Sequence, residues 1–373
     1  MSDIDDIPQP DQIDGAPHPR ETLQLIGQSP AESAFLDAFN GDRLHHAWLI
    51  TGPKGVGKAT LAWRLAKFLI ATPKDDAGMF ATPAPETLDI SEDHPVTSRI
   101  AALSEPGLFL LRRGWDEKTK KLKSVITVDE VRKLKGFFSM SNPDGGKRVV
   151  IVDAADEMNV SAANALLKVL EEPPADCILL LVSHQPSRLL PTIRSRCREL
   201  RCQQLNADDM AAALNAAGAD ADQHAVALSE LSGGSVGEAL RLLNLDGLTL
   251  YKELMSVIDT FPRLDRARAI ALGEKAAARN VDGRLDLMLR LFDVALSRLS
   301  RAGLGMVENQ AASGELLTLA RLSPNEDAAR RWATLSASSS ARARHGQAVN
   351  LDPSSLILDM VLTMNEVAGK TAA

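Results

Sequence analysis

At 373 residues and a formal net charge of −7, the chain is long for one core, and a prior of roughly 150 residues per domain predicts two or three. The acidic balance excludes a strongly basic nucleic-acid surface from the bulk numbers, leaving room only for a local patch, and 4% aromatic residues with one tyrosine argue against a stacking platform for single-stranded bases. Cys177, Cys197 and Cys202 form no CxxC pair, which argues against a zinc site and a disulfide framework and makes a reducing cytoplasm the expected compartment.

Residues 1–20 mix Asp3, Asp5, Asp6, Asp11 and Asp14 with four prolines, a composition that cannot bury a core and predicts a disordered tail. Phe35, Leu36 and Phe39 then space as one helix face, and His46 to Thr51 predicts a buried strand. It feeds the glycine loop Gly52-Pro53-Lys54-Gly55-Val56-Gly57-Lys58, after which Thr60 to about Ile70 continues as a helix. Strand, loop and helix in that order are what a phosphate-binding loop requires. From about Ala71 to Glu105, four prolines and little periodicity predict an irregular insertion.

Strands are predicted at Leu108 to Leu111 and Ser124 to Val128, with Lys118, Lys120, Lys121 and Lys123 forming a basic turn between them. That turn is either a solvated hairpin tip or a nucleic-acid contact. Asp129 to about Met140 is an amphipathic helix with Val131, Leu134, Phe137 and Phe138 on its apolar side. Arg148 to Val152 is a fully apolar strand, Asn159 to Glu172 a helix ended by Pro173-Pro174, and Ile178 to Val182 another buried strand. The longest apolar run, Cys177 to Val182, falls far short of the roughly 20 residues that span a bilayer, and the N-terminus lacks a signal-peptide pattern. Alternating strands and helices imply right-handed βαβ units and a doubly wound parallel sheet. Beyond about Gln204 the strand signals fade. Asn206 to Asn244 predicts a small helical domain, and Asp246 to Ala373 a larger one with Leu285, Met288, Leu289, Phe292 and Leu296 at helical spacing.

In the glycine loop, Gly52, Gly55 and Gly57 let backbone N–H groups curl around a phosphate while Lys58 reaches the outer phosphates. The next residue normally brings a hydroxyl to Mg²⁺, but here it is Ala59. Thr60 stands one position late, about 100° around the helix, and does not replace it. Asp153, closing an apolar strand, is the candidate acid of a second nucleotide motif. Ala154 occupies the place of a water-polarising glutamate, with Asp156 and Glu157 as candidate substitutes at a turn or helix start. These substitutions favour nucleotide binding without efficient hydrolysis.

Three segments carry a resemblance. Asp153-Ala154-Ala155-Asp156, the run Asn164-Ala165-Leu166-Leu167-Lys168 through Glu171-Glu172-Pro173-Pro174, and Leu190-Pro191-Thr192-Ile193-Arg194-Ser195-Arg196-Cys197 together resemble the clamp-loader branch of the AAA+ ATPases. The match spans roughly residues 22–245, and Val349 to Pro353 fits it more weakly. The resemblance implies an α/β AAA+ P-loop domain with a doubly wound parallel sheet over 21–204, a small helical lid domain over 205–245 and a C-terminal all-α collar over 246–373. It also implies that Arg196, within Ser195-Arg196-Cys197, projects as an arginine finger into a neighbouring subunit's nucleotide site. Arg194, Arg198 and Arg201 leave a solvated basic face as the alternative.

The family's first sensor falls near Ser183, and its lid arginine is replaced by Gly237, so Ala59, Ala154 and Gly237 remove three parts of the hydrolytic apparatus. Removing one such donor alone is often worth about 3 kcal/mol of barrier. ATP or ADP bound without hydrolysis, or an empty loop kept as scaffold, are the two cofactor expectations. The four-cysteine zinc module of many relatives has no counterpart in residues 71–105. The resemblance implies a non-motor subunit acting with motor subunits and a delta subunit to place a sliding clamp on primed DNA. An active ATPase motor subunit of the same fold, and more distantly a small-molecule phosphotransferase, are the alternatives.

Overall fold

The computed structural model describes residues 9–41, 43–72, 83–139, 147–277 and 283–372. In chain order the first elements are α1 (Ser29–Asn40), β1 (Ala47–Thr51), α2 (Lys58–Ala71), α3 (Pro95–Ala101), β2 (Leu108–Arg112), β3 (Trp115–Asp116), β4 (Lys121–Leu122), α4 (Val128–Ser139), β5 (Arg148–Asp153), α5 (Val160–Glu171), β6 (Cys177–Val182), α6 (Pro191–Arg194), β7 (Arg198–Arg201) and α7 (Ala207–Ala216). Every residue of β1 and β6 is buried, and only Arg148 of β5 is not, as strands covered on both faces of a parallel sheet require. The sheet runs β2-β5-β6-β1-β7 with every neighbouring pair parallel, so the fold is α/β and doubly wound. Arg112 lies opposite Asp153, and Asp153 opposite Val182, so the carboxyl ends of β2, β5 and β6 are level.

Helix boundaries follow their caps. The Asn159 side chain accepts from Ala162 N at 2.8 Å to start α5, and its apolar face buries Ala162, Ala163, Leu166 and Leu170 against β5 and β6. Substantial departures from expectation occur in three places. Ser124 to Val128 is not a strand: β4 pairs antiparallel with β3, Ile126 forms one isolated bridge to Met158, and the chain enters α4 at Val128. Asp129 and Glu130 sit in that helix's first turn, where acids favour helix over strand. Lys118, Lys120 and Lys121 surround the exposed tip of this small hairpin, whose turn is closed by Asp116 Oδ1 accepting from Lys118 N at 2.9 Å, while the half-buried Lys123 sits at its open end, its N–H donating to Gly114 O. The proline-rich stretch contains α3, capped by the His94 side chain; residues 73–82 lie outside the described residues.

The third departure is the N-terminal tail. Residues 1–8 lie outside the described residues, but residues 9–20 are not the disordered segment their composition predicts. His18 is 1% exposed and meets the Trp63 ring edge-on at 5.9 Å, and Arg20 Nε donates to Ala101 O at 3.0 Å. Charged partners on the folded domain, invisible to composition, hold a segment that has little apolar surface of its own.

The chain divides into two compact units, one comprising residues 1–219 with 235–237, the other 220–234 with 238–373. The second unit contains α8 (Ala225–Ser232), most of α9 (Val236–Asn244), α10 (Gly247–Ile258), α11 (Arg266–Ala276), α12 (Arg284–Ala302), α13 (Glu315–Leu322), α14 (Glu326–Ala348) and α15 (Pro353–Ala372). Its α12 buries Met288, Leu289, Phe292 and Leu296, leaving Leu285 of the expected stripe half-buried. Among the described residues no helix is long and apolar enough to cross a membrane.

Candidate functional site

The glycine loop leaves the carboxyl end of β1 and enters α2. Gly52, Gly55 and Gly57 have φ of 138°, 79° and 99°, a region that a side chain disfavours, so the glycines permit the curl. A Cβ on Gly52 would stand 2.5 Å from Cys202 O, which adds a close approach to the backbone requirement. Lys58 is the first residue of α2 and is 3% exposed. Its Nζ donates to Gly52 O at 2.8 Å and to Pro53 O, so the ammonium is satisfied by the loop's own carbonyls. Burial pulls its pKa down to about 8, against the charges of Cys202, Asp153 and Asp156, which hold it up.

Asp153 ends β5 at 7% exposure. Burial pushes its carboxyl up to about 7, reinforced by the carboxylates of Asp11 and Glu157 and opposed by Lys58 and Arg112. Arg112, at the end of β2, donates to Asp11 Oδ1 at 2.7 Å, and Asp11 Oδ2 lies 3.2 Å from His18 Nε2. Beyond β6, Ser183 Oγ and His184 Nδ1 are buried without a hydrogen-bond partner. Burial and the charge of Lys58 depress the His184 imidazole to about 4, so it is neutral at pH 7. Asp156, a candidate substitute for the missing glutamate, instead accepts from His184 N at 2.9 Å, while Glu157 pairs with Arg113 at 2.9 Å.

Gly237 and its neighbours pack on the loop. Ser235 Oγ donates to Lys54 O at 2.8 Å and Gly237 N to Gly55 O at 3.0 Å. A Cβ at Gly237 would lie 2.6 Å from Ile13 Cδ1 and 3.0 Å from Gly55 Cα, so a side chain at this position would have to displace Ile13 and crowd the loop.

The loop's backbone curl fits a phosphate, but the residues around it do not fit a magnesium ion. Ala59 offers a methyl group where a hydroxyl ligand is needed. Among the described residues no group of three or more His, Cys, Asp or Glu side chains is arranged to hold a metal.

The Asp153 environment makes a pH prediction. Its folded pKa lies above its unfolded value, so its contribution to stability is full below about pH 4 and is lost as pH rises through about 7. Asp153→Asn removes that loss. The variant is expected to gain about 4 kcal/mol over wild type near pH 8.5, shrinking to under about 2 kcal/mol near pH 5. Urea unfolding at the two pH values checks this, and a difference independent of pH would refute it.

Arg196 stands elsewhere. It lies in the turn between α6 and β7, where Nη2 pairs with Glu171 Oε1 at 2.9 Å and Nη1 donates to Thr192 O at 3.0 Å; its side chain is 36% exposed. Ser195 Oγ donates to Thr192 O at 3.2 Å, and burial pushes the Cys197 thiol up to about 12, leaving it protonated and inert. Arg194, Arg198 and Arg201 are exposed, with Arg198 over the Trp48 ring at 5.2 Å. Arg198 opens β7 opposite Trp48 near the start of β1, whereas the glycine loop leaves the far end of β1. A strand length of roughly 10 Å or more therefore separates Arg196 from this chain's own loop. The structure gathers Gly52, Gly55, Gly57, Lys58 and Asp153 at one edge of the sheet and sets Arg196 at the other.

The family model described as DNA polymerase III, delta subunit, matches residues 27–206. The delta-prime subunit of DNA polymerase III from Pseudomonas aeruginosa is 38% identical over 237 residues, 63% of this chain and 66% of the relative. The Bacillus subtilis delta-prime subunit is 35% identical over 164 residues, 44% of each chain. The tau subunit from Salmonella typhimurium is 26% identical over 344 residues, 85% of this chain and 50% of that one. The chain belongs to the clamp-loader family and resembles its delta-prime members. It spans 66%, 44% and 50% of the lengths of these three relatives.

In this clamp-loader family member, sequence reasoning missed Arg112, Asp11, His18, His184 and Ser235 at the loop edge. Arg112 had a signal, a cation closing an apolar strand beside the one that ends in Asp153. Asp11 and His18 had none, because their neighbours come from β2 and α2, far along the chain.

Proposed function

We propose that this chain is the non-motor, delta-prime-like subunit of a DNA polymerase III clamp loader, and that it supplies Arg196 in trans to an adjacent motor subunit. The observation that carries the reading is the placement of Arg196 at the sheet edge opposite its own glycine loop. An arginine there cannot serve the chain's own nucleotide, yet it is part-exposed and among the described residues is held by Glu171 and the Thr192 carbonyl, which it can exchange for a phosphate across an interface. The chain's own site supports the same division of labour. Ala59, Ala154 and Gly237 each stand where turnover needs a functional side chain.

In this reading the partners are the motor subunits and a delta subunit, the second unit's helices form the collar, and the assembly places a sliding clamp on primed DNA in the cytoplasm. ATP or ADP, where bound, is held by loop N–H groups and Lys58 without hydrolysis.

The resemblance to tau favours testing an active motor as the second reading. The purified chain is expected to show no ATPase activity above background, and to restore DNA-dependent ATPase and clamp loading when mixed with motor and delta subunits. Robust turnover by the chain alone, abolished by Lys58→Ala, would establish the motor reading instead.

A further inference from the structure

We infer that residues 9–22 form an autoinhibitory strap across the carboxyl edge of the sheet, closing the nucleotide cleft to phosphate ligands until it is displaced. In open α/β sheets ligands enter outside the carboxyl ends of the strands, and the strap lies there. Its contacts follow that edge. Asp11 is 2% exposed and takes Arg112 at the end of β2; Gln9 Oε1 accepts from the same guanidinium at 3.2 Å. Ile13 meets Gly237, whose N–H is bonded to Gly55 of the glycine loop. His18 closes back on Asp11 and packs on Trp63 of α2, while Arg20 Nη1 donates to Gln9 Oε1 at 2.7 Å, tying the two ends of the strap together.

Two features distinguish a strap from ordinary packing. The first is charge: Asp11 places a carboxylate beside Asp153 and engages Arg112, so it repels incoming phosphates and occupies a cation that would attract them. The second is the unfinished polar surface at the same carboxyl edge. Ser183 Oγ and His184 Nδ1 are buried without partners, and the His184 ring lies within the field of Lys58 and Asp156. Buried polar atoms are normally paired, so unpaired ones beside a phosphate loop point to a ligand that would complete them. The strap's side-chain bonds are polar, and Ile13, which reaches Gly237 beside the loop, is itself 37% exposed. Such a hold can be released without unfolding the sheet. A ligand whose cleft is open only part of the time binds with affinity reduced by that fraction.

The inference is independent of Arg196, and its failure would leave the trans role untouched. The test uses the full chain and a fluorescent ADP analogue read by anisotropy, with trypsin cleavage after Arg20 as the readout of strap release. In Asp11→Ala/Ile13→Ala, Arg20 is expected to be cut faster and the ADP analogue to bind at least about tenfold more tightly than in wild type. Adding Lys58→Ala should abolish that gain. Faster cleavage with unchanged affinity overturns the inference, because an opened strap would then not matter to the cleft. Unchanged cleavage also overturns it, because the named contacts would then not hold the strap. If the double variant does not fold, Asp11→Asn, which keeps the shape and removes the charge, is judged by the same two readouts.

Discussion

Arg196→Ala is expected to leave the chain folded and assembled while lowering the DNA-dependent ATPase of the reconstituted complex by about tenfold or more. The structural cost is small because the pair with Glu171 joins two partly exposed side chains, and such pairs are worth roughly 0–1 kcal/mol. The functional cost is large because a guanidinium supplied across an interface stabilises charge on the transferred phosphoryl group, worth on the order of 10³–10⁵ at a single site. Dilution by other sites in the assembly brings the total down. Arg196→Lys should rescue little, since an ammonium cannot present the planar fork. The paired measurements are the melting temperature and elution volume of the complex against its ATPase rate. Wild-type rates in an intact Arg196→Ala complex would refute the finger.

Arg298→Met is expected to destabilise the second unit by about 3–5 kcal/mol, lowering its melting temperature by roughly 10 °C. Arg298 is fully buried in α12, with Nε at 2.7 Å from Glu315 Oε1, Nη1 at 2.5 Å from Glu230 Oε2 and Nη2 at 2.6 Å from Asn309 O. Glu315, fully buried as well, also accepts from Tyr251 Oη at 2.6 Å and from Ala311 N and Ala312 N. That carboxylate drives the Tyr251 phenol, already raised by burial, well above its ordinary range. Removing the guanidinium alone strands the Glu315 charge in an apolar interior, whereas Arg298→Met combined with Glu315→Leu removes both charges and should recover part of the loss. Denaturant unfolding of the single and double variants measures this, and a single-variant loss under about 1 kcal/mol would show that water already reaches the network.

Much of the first unit was legible because its signals are local. A run such as Val149 to Val152 is apolar at every position, so it can only be a strand covered on both faces, and Asn159 marks the start of its helix by a hydrogen bond three residues away. Ser124 to Val128 misled for a local reason as well: β-branched residues there suit a strand, but the acids at Asp129 and Glu130 draw Val128 into α4 and leave Ile126 with a single bridge. The glycine loop and the Ser195-Arg196-Cys197 motif were visible because each is a set of residue types at fixed short spacing.

Residue types and short spacings therefore suffice for the α/β class, the phosphate loop lacking its metal hydroxyl, and a chemically distinct arginine motif. That Arg196 and Lys58 lie at opposite edges of one sheet is visible only in the folded chain, because parallel register between β1 and β7 is a long-range pairing. Only the folded chain shows that Gly237 is crowded by Ile13 and Gly55, that Asp153 is held near neutrality, and that the polar N-terminal segment is bound. Each of these depends on which charges and surfaces meet across more than a hundred residues of chain, as Asp11 and Arg112 do, and burial and electrostatic fields are properties of that meeting and of no single stretch.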